Sequence, residues 1–279
     1  MTSPRSNSAS TTPFERIICA LDGSMEAWEA AYQGCRIAPH AHVTLVYVLD
    51  PIDATTREAD YPSWVHESRD AASAMLTKAR GELVNVGVSV PIDTTVEEGE
   101  IVAALMYVSS STGQRTLLTI GSGKETKPAR VLHLPAPIRG PVPNWVVEAV
   151  DCSVLVARCA TELERFPTSI VAGVDGSDPS LHACHVAAAI AKQRGCKLLV
   201  VTALGGKGPD LRALEDATPH IPIDRIDPNH PADALMQAAS EDGLIVVGNR
   251  GRHGFRSLGS VSGAVADRSP VSVLVVRQT

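Results

Sequence analysis

Apolar and polar positions alternate in blocks along this chain rather than residue by residue. Arg16-Ile17-Ile18-Cys19-Ala20-Leu21 is a short apolar run that stops at Asp22-Gly23-Ser24. Met25 to Ile37 then carries small or apolar residues at helical spacing, at Ala27, Ala30, Ala31 and Gly34. Val43 to Leu49 is continuous and rich in β-branched residues, the pattern of a strand buried on both faces. After a polar, proline-containing connection over 50–64, the spacing predicts a helix over 66–84, a strand over 88–96, a helix over 99–109 and a strand over 116–120. The segment 121–143 holds five prolines and reads as an irregular loop. A short helix over 146–150 and a strand over 153–158 complete this series.

The same order then recurs. Strands are expected over 169–174, 197–203, 221–226, 244–247 and 271–277, with helices over 179–193, 231–240 and from Gly259-Ser260 to Asp267. The connection 205–220 is shorter than its counterpart. Asp22-Gly23-Ser24 answers Asp175-Gly176-Ser177, Pro91-Ile92-Asp93 answers Pro222-Ile223-Asp224, and Ser153 to Arg158 answers Ser272 to Arg277. Strands and helices in alternation imply a parallel sheet covered on both faces, so each half is expected to be a doubly wound α/β domain of five strands. The units are placed at 14–160 and 166–279, after a Ser/Thr/Pro-rich tail over 1–13 read as disordered.

The totals narrow the function. At 279 residues with 44% hydrophobic content, two domains can each bury a core. A net charge of -6 disfavours a general nucleic-acid binder, whose footprint is basic. No apolar run reaches the roughly 18 residues of a membrane span. Six cysteines at 19, 35, 152, 159, 184 and 196 show no close paired spacing and read as reduced core thiols, which places the protein in the cytoplasm.

One stretch carries candidate chemistry. Leu244 to Val247 is a buried strand, Gly248-Asn249-Arg250-Gly251 opens a glycine loop, and Gly259-Ser260-Val261-Ser262 begins a helix. Strand, glycine loop and helix N-terminus in that order form an anion cradle, because glycine lets backbone approach an oxyanion and the first helical N–H groups carry partial positive charge. Asp175 ends the first strand of the same half, and ligands of open α/β sheets bind beyond the carboxyl ends of strands. Asp-Gly-Ser is also good helix-capping chemistry, so Asp175 and Asp22 have a purely local reading too.

This constellation resembles the universal stress protein family in tandem form. Val174-Asp175-Gly176-Ser177 looks like the family's first-strand aspartate, residues 248–262 look like its Gly-x2-Gly-x9-Gly-(Ser/Thr) motif, and Pro270 to Arg277 looks like its closing strand. The resemblance implies a Rossmann-like sheet in each half, terminal strands 153–158 and 272–277 that pair so the tandem mimics a homodimer, and, in one branch, ATP held without rapid turnover. Carried over, Val174 and Asp175 border adenine and ribose, and Ala203 offers its backbone to adenine. Gly248, Arg250 and Gly251 line the phosphates, Gly259, Ser260, Val261 and Ser262 hold them, and Mg or another divalent ion rides on them. The sequence departs from the motif in one respect: seven residues (252–258), not nine, separate Gly251 from Gly259. The first half, with Gly121-Ser122-Gly123-Lys124-Glu125 and a proline-rich continuation, is expected to be a degenerate partner.

Competing signals are weaker. Gly123-Lys124 lacks the earlier glycine and the following Ser/Thr of a P-loop, since Leu118 and Glu125 stand there. His182, Cys184 and His185 share a helical turn without further ligands nearby, so no metal is assigned to them. No paired nucleophile and base is visible, which leaves no enzyme activity beyond slow ATP hydrolysis. The leading expectation is an ATP-binding regulator of the stress response, with the nucleotide in the second half, an unknown protein partner and a possible homodimer of whole chains. The alternative is a nucleotide-free tandem scaffold whose partner meets the loop 128–143. An adenylyl transferase lacks its expected motifs.

Overall fold

In a computed structural model the described residues are 12–50, 61–110, 115–123, 142–203, 222–226, 230–249 and 259–278. The first half runs β1 (Arg16–Ala20), α1 (Met25–Ile37), β2 (His42–Leu49), α2 (Tyr61–Asn85), β3 (Ile92–Glu98), α3 (Ile101–Ser109), β4 (Thr116–Gly121), α4 (Val142–Ala149) and β5 (Ser153–Ala157). The second runs β6 (Ser169–Val174), α5 (Asp178–Arg194), β7 (Lys197–Ala203), β8 (Ile223–Ile226), α6 (Pro231–Ala238), β9 (Leu244–Gly248), α7 (Ser260–Arg268) and β10 (Ser272–Val276). No helix among the described residues is long and apolar enough to cross a membrane.

The strands form one sheet in the order β3-β2-β1-β4-β5-β10-β9-β6-β7-β8. Each half contributes five parallel strands, and the halves join through β5 and β10, which pair antiparallel. Two apolar clusters cover the two faces, and each runs through both halves. One holds Ala31 of α1, Leu76 of α2 and Ile190 of α5. The other holds Leu105 of α3, Val147 of α4, Leu235 of α6 and Val265 of α7. The continuous apolar strands predict this two-sided burial, and β4, β5 and β10 are buried almost end to end.

Register makes the repeat quantitative. Ser153 lies opposite Leu117 and Ser272 opposite Leu244, so the two halves are equivalent at these positions. Across the seam Leu155 faces Leu274, Val154 faces Val275 and Val156 faces Val273, which puts a local twofold axis at the leucine pair. Its hydrogen bonds obey that axis. The Arg158 N–H donates to Ser272 Oγ at 2.9 Å, and the Arg277 N–H donates to Ser153 Oγ at 3.0 Å. Arg158 then crosses to donate to the Ala266 carbonyl at the end of α7, and Arg277 donates to the Val147 carbonyl near the end of α4. Each last strand thus caps the other half's last helix, where exposed carbonyls and the negative end of the helix dipole favour a cation.

Four expectations are corrected by the structure. The Pro-Ile-Asp match is out of register: Ile92 pairs with Val43 and Ile223 with Val200, and the positions equivalent to those partners differ by two residues. The third strand begins at Ile92 rather than Val88, and α2 begins at Tyr61 rather than His66. Of the six cysteines, Cys19, Cys35, Cys152 and Cys184 are buried, whereas Cys159 is exposed and Cys196 half-buried; all six are free thiols. Burial pushes the Cys19 thiol up to about 12 and those of Cys152 and Cys184 up to about 11.

Candidate functional site

Strand order locates the cleft in the second half. From β6 the chain winds outward through β7 to β8, then returns on the other side of β6 as β9. The switch point therefore lies between the carboxyl ends of β6 and β9, where Gly173 is paired with Val247. Val174 and Asp175 follow on one side of that point and Gly248 and Asn249 on the other. Ala203 ends the next strand out, paired with Ile226. Gly259, Ser260, Val261 and Ser262 begin α7, the helix that follows β9. The structure brings these candidates to one sheet edge. Arg250, Gly251, the shortened loop 252–258 and the proline-rich segment 124–141 lie outside the described residues.

Several candidates have local tasks there. Asp175 Oδ1 accepts from the Ser177 N–H at 3.0 Å and from Ser177 Oγ at 2.6 Å, closing the turn into α5. Its counterpart Asp22 accepts from the Ser24 N–H at 2.9 Å, so the turn is the same in both halves. Val174 is a core residue, only 3% exposed. The Ser262 hydroxyl donates to the Gly248 carbonyl at 2.9 Å and so ties α7 to the end of β9. Gly248 packs against the first turn of α5: a Cβ there would sit 2.4 Å from the Pro179 carbonyl oxygen and 2.8 Å from the Ser180 nitrogen. Gly121 occupies the equivalent place against Glu26 and Ala27 of α1, at 3.1 Å. The pair of strand-end glycines is thus explained by helix–strand packing in both halves.

What differs between the halves is the start of the last helix. Gly259 is the N-cap of α7, and no side chain of the described residues caps that end. The first intrahelical bond there is from the Gly263 N–H to the Gly259 carbonyl, so the N–H groups of Ser260, Val261 and Ser262 are the orphan donors of the helix end. The strand register equates Pro143 of α4 with Ser262. Proline has no N–H to offer. The first half therefore has fewer backbone donors at the position where the second half has three.

Two polar side chains that the sequence motifs did not single out also lie at this edge. Asn249 is 5% exposed, yet among the described residues neither its Oδ1 nor its Nδ2 has a hydrogen-bond partner. Thr202, paired with Val174, is fully buried, and its Oγ1 likewise has no partner among the described residues. Buried polar atoms are normally satisfied, so orphans mark a place where a partner is expected. The signal in the sequence was a polar residue set directly after or within an apolar strand run. Burial, and then the neighbouring His185, hold the His182 imidazole below its ordinary range, and no group of three metal-ligating side chains exists among the described residues.

Comparison with known proteins agrees with this architecture. The universal stress protein family model matches residues 13–158 and again residues 210–277. A universal stress protein of Mycobacterium tuberculosis is 26% identical over 295 residues, covering 94% of this chain and 97% of that protein. A second protein of that name from the same species is 25% identical over 293 residues, covering 94% and 96%. Among solved structures, a universal stress protein from Archaeoglobus fulgidus superposes with a TM-score of 0.70 at 17% identity, covering 95% of this chain and 98% of that one. The chain belongs to the universal stress protein family, as a tandem of two of its domains.

Proposed function

We propose that the second half binds an adenine nucleotide, ATP with a divalent ion on its phosphates, and that the protein is a regulator rather than a catalyst of rapid turnover. The observation that carries this is the uncapped start of α7 beside the switch point, set against Pro143 in the same register of the first half. Phosphate suits three outward N–H groups at the positive end of a helix. In this reading Gly259, Ser260 and Val261 hold phosphate through backbone, Asp175 and Val174 border the ribose and base, and the Ala203 backbone meets adenine. Arg250 and Gly251 line the phosphates by their place in the motif. Ser262 contributes its N–H, because its hydroxyl proton is committed to Gly248. The buried Asn249 carboxamide fits a polar ligand at this edge. Nucleotide occupancy would alter a surface read by a partner protein.

Isothermal titration of the purified chain with ATP and Mg tests the reading. Wild type is expected to release heat that Ser260→Asp and Gly251→Asp abolish, since each places a carboxylate against the phosphates. Equal heats from all three proteins, or none from wild type, would sink it. The nucleotide-free scaffold is favoured by a different observation. Tyr107 of α3 is 75% exposed and Trp145 of α4 53% exposed, both in the first half, and α4 follows the proline-rich segment. That reading predicts partner capture that is lost with Trp145→Ala and indifferent to ATP.

A further inference from the structure

A second site with anion chemistry lies between the two halves, away from the nucleotide edge. Arg36 stands in the last turn of α1 and Arg194 in the last turn of α5. Both line one groove of about 100 Å³ together with Tyr32, Cys35, and Val88 and Ser89 of the connection between α2 and β3. The two guanidiniums are close enough to repel: burial, and then Arg36, lower the affinity of Arg194 for its proton. Yet among the described residues no carboxylate lies within ion-pair distance of either. Arg194 makes no hydrogen bond there, and its Nε is buried without an acceptor. Arg36 rests over the Tyr32 ring at 5.9 Å and donates from Nη2 to the Glu164 carbonyl, while its Nε is also buried without an acceptor. Tyr32 is held in place by parallel stacking on Trp28 at 5.7 Å. Basic residues at helix ends ordinarily serve the end carbonyls, but neither arginine donates to its own helix. Two like charges kept together with buried donors unused are an arrangement completed by an anion.

We infer that Arg36 and Arg194 form a binding site for a small oxyanion, of the phosphate or carboxylate type, that bridges the two halves of the tandem. Guanidinium forks match both anions. A volume of about 100 Å³ admits such an ion, whereas ligand pockets for larger molecules run to roughly 300 Å³ or more. Bridging α1 to α5, the ion would stabilise the folded tandem increasingly as its concentration rises above its Kd.

Inorganic phosphate and succinate, titrated separately into the full chain by calorimetry and thermal unfolding, test this. At least one is expected to bind wild type and raise its midpoint, and to do so equally in Ser260→Asp, which spoils only the proposed nucleotide edge. Arg194→Gln and Arg36→Gln are each expected to weaken it by about tenfold or more, the loss of one charge-assisted contact. Should Arg194→Gln fold poorly, Arg194→Lys decides the matter: it keeps the charge and loses the fork, so weaker binding than wild type supports the site and equal binding overturns it. Unchanged affinity in both glutamine variants, loss in Ser260→Asp, or no binding of either anion to wild type also overturns it.

Discussion

At the residue scale, glycine illustrates how one letter can stand for two kinds of necessity. Gly248 falls in the stretch that resembles a phosphate motif, but its missing Cβ is required where β9 meets the backbone of Pro179 and Ser180. Gly248→Ala is therefore expected to destabilise the fold by about 2–3 kcal/mol, an overpacking cost against backbone that cannot rotate away. Gly121→Ala, with contacts at 3.1 Å, is expected to cost less. Urea unfolding of the two variants checks the order, and a harmless Gly248→Ala would remove the packing explanation. His182 supplies a pH dependence. Its folded-state affinity for a proton is lowered, mainly by burial, so the unfolded chain takes up a proton first as pH falls. The stability it contributes is thus present above the ordinary histidine range, near pH 6.5, and is lost as pH drops below it. Replacing it by Gln should leave the midpoint at pH 7.5 almost unchanged and lessen the fall between pH 7 and pH 5. An unaltered slope in thermal scans would contradict this.

At the element scale, most of the fold was legible because burial on both faces of a parallel sheet leaves no alternation to misread. The apolar runs fix β6 and β7 at the bounds observed, and helical spacing does the same for α1. The failures share a cause in proline and charge. Pro62 suggested a connection, but proline is tolerated in a first turn, and α2 starts one residue before it. The third strand, expected to end at residue 96, runs on through Glu97 and Glu98, because β3 is an edge strand, where charges are favoured since they deter further pairing. The site was legible only as a set of residue types. That Pro143 stands where Ser262 stands, across a loop longer by eight residues (Gly121 to Gly140 against Gly248 to Gly259), needed strand register to see. The crossed arginine caps were likewise invisible, since no local pattern links Arg158 to Ala266. Arg158 is 8% exposed and also donates from Nε to the Ser269 carbonyl at 3.1 Å, whereas Arg277 is half-buried. Arg158→Ala is expected to cost about 2–4 kcal/mol and Arg277→Ala nearer 1 kcal/mol, because truncating the first strands buried carbonyls. Equal costs in denaturant unfolding would show that the two caps are energetically symmetric despite their surroundings.

For the whole molecule, the consequence lies in the edges. In a parallel five-stranded half, β5 or β10 alone would be an exposed apolar edge inviting another chain. Here each is consumed by the other, with Leu155 facing Leu274 at the axis, and both apolar clusters continue through the join. Gln33 reinforces the join on one side only: its Nε2 donates to the Arg158 carbonyl and its Oε1 accepts from Ser272 Oγ, both at 2.7 Å, while the equivalent position in α5 is Val186. Among the described residues the edges left open are β3 and β8, and β3 carries Asp93, Glu97 and Glu98. Two expectations follow from the same geometry. The chain should run as a monomer of 29.4 kDa in light scattering, since the surface that would pair two single domains is already used within one chain. It should also unfold in a single transition, because neither half can separate without baring the seam. Leu155→Asp, which places a charge at the axis beside Leu274, should convert that one transition into two or promote association of chains through the freed edges. A wild type that already unfolds in two steps would mean that the seam couples the halves too weakly for them to act as one body.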